Sequence, residues 1–199
     1  MRIIFASNNE HKLKEIKKIL YKYKNNIFFM KDLNINLEIE ENGKTFKENA
    51  YLKAKALYDY MTNHNIIKEN DIILADDTGL CIDYLDGKPG IFSARYLGHD
   101  TSQQKKNESI IELMKGLAYD KRKAHFICVI CLIKNKNIIE YYDGLFCGHI
   151  SNDIKGVDGF GYDPIFIPNG ETKSVALLGE EYKNKYSHRA LALKKINFT

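Results

Sequence analysis

The order of apolar and polar positions predicts that the chain opens as strand, turn and helix. The apolar run that ends at Ala6 is typical of a short buried strand, and the polar residues Ser7-Asn8-Asn9 follow it as a turn. Beyond the turn, apolar residues recur at helical spacing at Leu13, Ile16 and Leu20. A strand that leads through a turn into a helix is typical of an α/β protein.

The next segment repeats this alternation of short strand and helix. A second strand is predicted around Ile27-Phe28-Phe29, and an acidic connector runs from there to residue 42. The stretch GKTFKENAYLKAKALYDYM is strongly helical, and its predicted apolar face consists of Ala50, Ala54, Leu57 and Met61. The stretch IILADDTGL then predicts a buried strand that ends at Asp76-Asp77, with Thr78-Gly79 turning the chain away.

The second half of the sequence predicts a hairpin between helices. A loop rich in Gly and Pro, DGKPGIFSARYLG, precedes a polar helix from about Gln103 to Lys115. The stretches AHFICVICLIK and NIIEYYDGLFCGHI flank the turn Asn135-Lys136-Asn137 and predict a long antiparallel hairpin. A glycine-punctuated loop, GVDGFGYDPIFIP, leads into a short strand, and YSHRALALKKI predicts a final helix. We therefore expect a mixed sheet with helices packed against it, in the α/β class.

Composition sets the size and the setting of this fold. A chain of 199 residues with 44% hydrophobic types suits one domain, or two lobes that share a sheet. No apolar run approaches the roughly 20 residues that a membrane helix needs, and the N-terminus is too quickly polar for a signal peptide. We therefore expect a soluble cytoplasmic protein with no membrane partner.

The basic charge of the chain favours a solvated surface over a nucleic-acid interface. The formal charge of +4 comes mostly from lysines scattered between acidic residues, and the arginines are few: Arg2, Arg95, Arg122 and Arg189. A nucleic-acid-binding module is the competing functional class, but no interleaving of aromatic and basic residues supports it.

Four cysteines include a Cys-x-x-Cys spacing, which invites a zinc or redox interpretation. Cys128 and Cys131 fall within a predicted strand, where residues three apart point to opposite faces, so both sulfurs cannot bind one ion there. We expect small buried residues in a reducing compartment.

Two adjacent carboxylates at the mouth of a buried strand are the strongest chemical signal. Asp76 and Asp77 repel each other, and burying them costs free energy unless a cation compensates them. The alternative is a plain polar turn, because Asp-Asp-Thr-Gly is also typical turn chemistry. Glu48 has a similar ambiguity, because it fits the third position of a capping box after Thr45 and is equally placed to hold Mg²⁺.

Two helix starts carry charges of the wrong sign. His11 and Lys12 fall in the first turn of one predicted helix, and His188 and Arg189 in the first turn of another, after the predicted cap Ser187. Helix N-termini carry partial positive charge, so an anion such as a phosphate would resolve the conflict. Capping with solvated side chains is the alternative, and no P-loop pattern is present.

The loop GVDGFGYDPIF combines glycines with aromatic residues. Its glycines allow close backbone approach, and Phe160 is suited to stacking on a purine. The alternative is a bulged turn that leads into a strand, for which the same residues are also typical.

Four ordered segments of the chain resemble one known family. The segments SNNEHK, TFKENAYLKAKA, ADDTGLCIDYLDGKPGIFSARYLG and GFGYDPIFIPNGETKSVALLGEEYKNKYSHRALAL closely resemble the inosine triphosphate pyrophosphatase family (non-canonical purine NTP pyrophosphatases, Ham1-like). The resemblance implies one nucleoside triphosphate pyrophosphatase domain over residues 1–199. Its expected fold is an elongated mixed sheet with flanking helices, in two lobes around a central nucleotide cleft.

The resemblance also implies a chemistry and the residues for it. Members hydrolyse ITP, dITP and XTP to the monophosphate and pyrophosphate with Mg²⁺, and they are usually homodimers. Carried over by motif, Asp77 is the catalytic carboxylate and a metal ligand, and Glu48 is a second metal ligand. The phosphates would be held by Ser7, Asn8, Asn9, Glu10, His11 and Lys12, with Thr78 beside the substrate. The base and sugar would be enclosed by Phe160, Gly161, Tyr162 and Asp163, and Lys183, His188 and Arg189 would complete the site.

Two departures from the family pattern are small. The first motif more often begins Thr-Gly-Asn, where this chain has Ser7-Asn8-Asn9. The acidic pair is often followed by Ser in the family, where this chain has Thr78. A related pyrophosphatase that acts on modified pyrimidine nucleotides remains a second enzymatic alternative.

Overall fold

The computed structural model describes residues 1–134 and 138–198. The strands are β1 (Arg2–Phe5), β2 (Ile27–Phe29), β3 (Asp71–Ile82), β4 (Lys123–Lys134), β5 (Ile138–Ile150) and β6 (Phe166–Pro168). The helices are α1 (Glu10–Ile19), α2 (Phe46–Asn63), α3 (Gln103–Leu113), α4 (Val175–Tyr186) and α5 (His188–Leu193). The turn predicted at Asn135-Lys136-Asn137 lies outside the described residues.

The strands form one six-stranded sheet in the order β2-β1-β3-β4-β5-β6. Strand β1 pairs in parallel with β2, Ile3 opposite Ile27, and in parallel with β3, Ile3 opposite Ile72. At the other end of the order, β5 and β6 are antiparallel, with His149 opposite Ile167. The sheet is therefore mixed and the fold is α/β, as the sequence predicts. Among the described residues, no helix is both long and apolar enough to cross a membrane.

The chain divides into two compact units. Unit 1 comprises Met1–Asp77, Cys128–Gly144 and the residues from Ala192 onward, and unit 2 comprises Thr78–Ile127 and Leu145–Leu191. The core of unit 1 is built from alternate residues of β1 and β3, from α1, and from Cys128, Ile130 and Leu132 of β4. All four residues of the predicted apolar face of α2 are fully buried, which confirms that prediction. Both cysteines of the Cys-x-x-Cys spacing are buried, and neither forms a disulfide.

Unit 2 has an aromatic core. Phe166 of β6 packs against Phe126 of β4 and Phe146 of β5, with ring centroids 4.8 and 5.4 Å apart. Ile110 and Met114, at the end of α3, are fully buried in the same cluster. Arg122 is also buried in this unit, and its guanidinium donates to the backbone carbonyls of Met114, Ile150 and Ser151.

One predicted strand end is wrong. Strand β3 does not stop at Asp76-Asp77 but runs through Thr78-Gly79 to Ile82. The physical reason is that burial continues through Asp76 and Asp77 and beyond them, because Leu80 and Ile82 are both fully buried. The Leu80 amide donates to the Ser93 hydroxyl, and the Ile82 amide donates to the Lys88 carbonyl. The two carboxylates therefore lie inside a long strand and not at its end.

One helix has no counterpart among the sequence predictions. Helix α4 begins after Ser174, whose hydroxyl accepts from the Leu177 amide, and it is interrupted at Gly179, where φ is 83°. The interruption divides α4 into two short helical pieces, so neither carries enough apolar positions to show a helical period.

Candidate active site

The paired aspartates of β3 are buried carboxylates. Asp76 is 2% exposed and Asp77 is 5% exposed. They precede buried residues on a strand that pairs with β1, so the backbone fixes where both carboxylates lie. Two negative charges at this depth require positive partners in the same unit.

Lys53 of α2 supplies one of these partners. Its ammonium lies 2.8 Å from Glu41 Oε1 and 3.4 Å from Asp77 Oδ1. The Lys53 and Asp77 side chains are 9% and 7% exposed, whereas Glu41 is 31% exposed. Two carboxylates from different segments therefore converge on one cation position. We call Glu41, Lys53, Asp76 and Asp77 the acidic cluster.

Asn49 orients Asp77 from the other side. Its Nδ2 donates to Asp77 Oδ2 over 3.1 Å, and its Oδ1 accepts from the Gly43 amide over 2.9 Å. Because a backbone N–H can only donate, the Asn49 oxygen must face Gly43 and the amino group must face Asp77. A Cβ on residue 43 would lie 2.7 Å from Asn49 Oδ1, so only glycine allows this close approach.

The surroundings shift the protonation of Asp77. Burial raises the pKa of Asp77, and the positive charges of Lys53 and Lys12 only partly oppose that rise. Burial lowers the pKa of Lys53, but Asp77, Asp76 and Glu41 outweigh it, so the net pKa is raised and the ammonium stays charged. The raised pKa makes this carboxylate a stronger proton acceptor than an ordinary aspartate.

The start of α1 carries the first predicted phosphate segment. Asn9 is the cap residue, since its side chain accepts from the Lys12 amide over 3.2 Å, and the Asn9 amide donates to the Ser7 hydroxyl. The Lys12 ammonium lies 3.1 Å from Asp76 Oδ2, so a carboxylate offsets the wrong-signed charge. Asn8 and His11 are exposed, and Glu10 pairs with Lys31 over 2.8 Å.

Glu48 takes part in the capping of α2, whose cap residue is Thr45. Its Oε2 accepts from the Lys44 amide over 2.6 Å, and its own amide donates to the Thr45 hydroxyl over 3.1 Å. Glu41 is instead the glutamate that meets the same ammonium as Asp77. Metal ligation by Glu48 stays a prediction.

The donor set of the acidic cluster fits Mg²⁺ better than a metal held by protein alone. Among residues 1–134 and 138–198, no group of three or more His, Cys, Asp or Glu side chains is placed to hold a metal ion. Mg²⁺ binds through one or two carboxylates and takes its remaining ligands from water and substrate phosphates. Asp77 and Glu41, which already share one cation, match that requirement.

Unit 2 holds the second group of predicted residues, which we call the Phe160 loop (residues 160–163). Asp163 is 3% exposed, and its Oδ2 accepts from the Phe160 amide over 2.9 Å and from the Lys183 ammonium over 2.6 Å. The same ammonium lies 3.8 Å from the centroid of the Phe160 ring. Gly159 has a φ of 82°, and a Cβ there would clash with the Asp163 carboxylate.

The start of α5 lies in the same unit. Ser187 is its cap, as predicted, because its hydroxyl accepts from the Ala190 amide over 3.3 Å. The His188 ring stacks on Phe126 with centroids 4.9 Å apart. Arg189 is 1% exposed, and its NH2 group donates to the Thr78 hydroxyl over 3.4 Å. Thr78 and Arg189, which are 111 residues apart, are thus brought together.

Several residues of these clusters were missed by sequence reasoning. Lys53 falls between Ala50 and Leu57 on the buried face of α2, at a spacing where an apolar residue is expected. A charged residue at such a position needs a partner, and that spacing was the available signal. The positions of Glu41 and Asn49 beside Asp77 had no comparable signal.

The mixed sheet with flanking helices and the buried carboxylate–lysine cluster in unit 1 define an α/β protein with a buried charged site. The Ham1 family model matches residues 3–198. The chain belongs to the Ham1 family.

Relatives of this chain match it over nearly its whole length. A protein of Clostridium perfringens named dITP/XTP pyrophosphatase is 42% identical over 196 residues, which is 98% of this chain and 95% of the relative. The structure of the Staphylococcus aureus Ham1 protein is similar with a TM-score of 0.82 and 34% identity, covering 98% of this chain and 95% of that one. A HAM1 protein structure from Coxiella burnetii gives a TM-score of 0.80 and 34% identity over the same shares.

Proposed function

We propose that this protein hydrolyses the triphosphates of non-canonical purine nucleosides, ITP, dITP and XTP, to the monophosphate and pyrophosphate. The similarity to proteins named dITP/XTP pyrophosphatase supports the substrate class. The observation that carries the proposal in this chain is the buried Asp77–Lys53 pair flanked by Glu41. The activity would remove deaminated purines from the nucleotide pool, and residues 1–199 would act as one domain.

Asp77 and Glu41 would hold Mg²⁺ in this proposal. Bound there, the ion would neutralise charge on the substrate phosphates, which is most of what phosphoryl transfer requires of a protein. Glu48 is the alternative second ligand, and variants of the two glutamates distinguish them.

Asp77 would also accept a proton from the attacking water or orient it. The hydrogen bond from Asn49 and the nearby Lys53 ammonium fix the carboxylate, so that one oxygen is held while the other meets the cation. A fixed carboxylate with a raised pKa is suited to this role.

The remaining predicted residues would bind the nucleotide. In unit 1, the segment Ser7–Lys12 would hold phosphates through its backbone amides and Lys12. In unit 2, Phe160 would stack on the base, while Lys183, His188 and Arg189 would contact the nucleotide, with Thr78 beside it.

The cellular setting forms part of the same proposal. We expect a homodimer in the cytoplasm that takes a small nucleotide and binds neither nucleic acid nor membrane. Four cysteines that form no disulfide, two of them fully buried, are consistent with a reducing compartment.

Phosphorus NMR of the reaction with ITP and Mg²⁺ tests the proposal. We expect signals of IMP and pyrophosphate, because in this proposal water attacks the α-phosphorus. Stepwise appearance of IDP and orthophosphate would contradict it. A methylated UTP turned over in preference to ITP would favour the pyrimidine alternative, and salt-dependent RNA binding without hydrolysis would favour the nucleic-acid module.

A further inference from the structure

A buried asparagine of α3 holds the backbone of the Phe160 loop. Asn107 is 3% exposed, and its Nδ2 donates to the Gly161 carbonyl over 3.2 Å, across 54 positions of sequence. Its Oδ1 accepts from Gln103 Nε2 over 3.1 Å. Because a carbonyl only accepts, the amino group of Asn107 must face Gly161, so the orientation of the side-chain amide is fixed.

This hydrogen bond also fixes the direction of a backbone donor. In a trans peptide unit the C=O and the N–H point in opposite directions. The unit that carries the Gly161 carbonyl also carries the Tyr162 N–H, so the bond to Asn107 directs that N–H away from α3. Within residues 1–134 and 138–198, no backbone carbonyl accepts a hydrogen bond from the Tyr162 N–H.

We propose that Asn107 is a positioning residue for base selectivity, which holds the Gly161–Tyr162 peptide so that its N–H, and not its carbonyl, faces the base. The inference rests on the proposed function, in which the Phe160 loop encloses the base. A backbone N–H pairs with the 6-carbonyl of hypoxanthine or xanthine, whereas adenine presents a 6-amino donor there. A buried donor that faces another donor is left unpaired, which disfavours ATP.

Glycine at position 161 makes the side-chain bond necessary. Gly161 has a φ of 66°, which favours glycine, and a Cβ there would meet nothing within 4 Å. Rotation of this peptide unit changes ψ of Gly161 and φ of Tyr162, and glycine leaves ψ at position 161 free to vary, so a rotated unit would no longer direct its N–H at the base. The hydrogen bond from Asn107 to the Gly161 carbonyl therefore fixes the direction of this N–H.

Other contacts anchor the loop independently of Asn107. The Tyr162 hydroxyl donates to the Ser93 carbonyl over 2.8 Å, and Asp163 is held by Lys183. Loss of the Asn107 bond should therefore release one peptide unit and leave the loop in place. We expect a change in base recognition, seen in KM, without a comparable change in kcat.

The test compares Asn107→Ala and the isosteric Asn107→Asp with a matched control, Ile110→Val, which shortens a fully buried side chain of the same helix. Steady-state constants are measured for ITP, ATP and purine riboside triphosphate, which lacks a 6-substituent. Thermal unfolding reports the stability of each variant. We expect Asn107→Ala to raise KM for ITP and to lower the ITP-to-ATP ratio of kcat/KM by about tenfold or more, with kcat for ITP within about twofold.

Purine riboside triphosphate and the two other variants test the same inference independently. The preference of the wild type for ITP over purine riboside triphosphate should shrink in Asn107→Ala. Asn107→Asp should act in the same direction, because a carboxylate repels the Gly161 carbonyl. Ile110→Val should leave the ITP-to-ATP ratio of kcat/KM unchanged, even if it lowers the melting temperature as much as Asn107→Ala does.

Failure of the inference differs from failure of the proposed function. A large ITP-to-ATP ratio in the wild type that persists in both Asn107 variants would overturn the inference alone, as would an equal change in Ile110→Val. A wild-type ratio near one would overturn the selectivity in the proposed function, and the inference with it.

Discussion

Replacing Lys53 with methionine should destabilise the protein, because the buried Asp77 carboxylate would lose the positive charge that compensates it. The Lys53 and Asp77 side chains are 9% and 7% exposed and lie 3.4 Å apart, and removing one partner of such a buried pair costs about 3–5 kcal/mol. Glu41 is 31% exposed, so solvent screens its loss and it adds at most about 1 kcal/mol. Methionine keeps most of the volume of the lysine stem, so the loss reports charge more than packing.

The destabilisation should depend on pH in a defined direction. The Lys53 charge lowers the pKa of Asp77, so without it that pKa rises further above the ordinary value of 3.8. A carboxylate with a raised pKa binds more protons in the folded state, and its protonated form carries no unpaired charge. The deficit of the Lys53→Met variant should therefore be small in acid and grow as the pH rises through the folded pKa.

Thermal unfolding in EDTA, at about pH 5 and about pH 8, measures this effect. At the higher pH we expect a fall in melting temperature of about 6–20 °C, since about 1 kcal/mol shifts a protein of this size by about 2–4 °C. Lys55→Met is the matched control, because Lys55 lies on the same helix and pairs with exposed Asp59, and it should cost less than about 1 kcal/mol. An equal loss at both pH values, or one no larger than in the control, would refute the reasoning.

Three further predictions concern the carboxylates. Asp77→Asn should lower turnover of ITP by about 100-fold or more with an unchanged circular dichroism spectrum, and near-normal activity would move the role to Asp76 or a glutamate. Glu41→Gln should raise the Mg²⁺ concentration for half-maximal activity by about tenfold or more, whereas Glu48→Gln should leave that concentration unchanged, because glutamine also serves at this position of a capping box. The reverse result would make Glu48 the ligand. In metal-free buffer, Asp77→Asn should gain stability over the wild type as the pH rises above 3.8, because the raised pKa makes the buried carboxylate costly when ionised. A difference in melting temperature between Asp77→Asn and the wild type that does not change with pH would contradict this.

Most helices and strands of the fold were predictable from the spacing of apolar residues along the chain. The apolar face of α2 was predictable because its residues recur every three or four positions, and all four are fully buried. The end of β3 was not predictable, because Asp76, Asp77 and Thr78 look like turn chemistry, and only the tertiary structure buries them inside a strand. Helix α4 escaped detection because Gly179 interrupts its period.

Part of the acidic cluster was visible in the sequence, but the pairings of its side chains were not. The unusual carboxylates of β3 and the misplaced charge of Lys12 were both visible in sequence, but their 3.1 Å contact depends on tertiary structure. Lys53 looked like one more lysine in a lysine-rich chain, although its position on an apolar helix face marked it as buried. Asn107 carried no sequence signal, because its partner Gly161 is 54 positions away.

Selectivity among purine triphosphates tests the central claim most directly. The measurement is kcat/KM for ITP, XTP, GTP and ATP under one Mg²⁺ condition. A buried donor left unpaired costs about 1–3 kcal/mol, so we expect ATP to be disfavoured by about tenfold to 100-fold or more relative to ITP and XTP. GTP shares the 6-carbonyl, so weaker discrimination is expected against it. A kcat/KM for ATP equal to that for ITP would indicate a general nucleotide pyrophosphatase and would contradict the proposed role in removing deaminated purines.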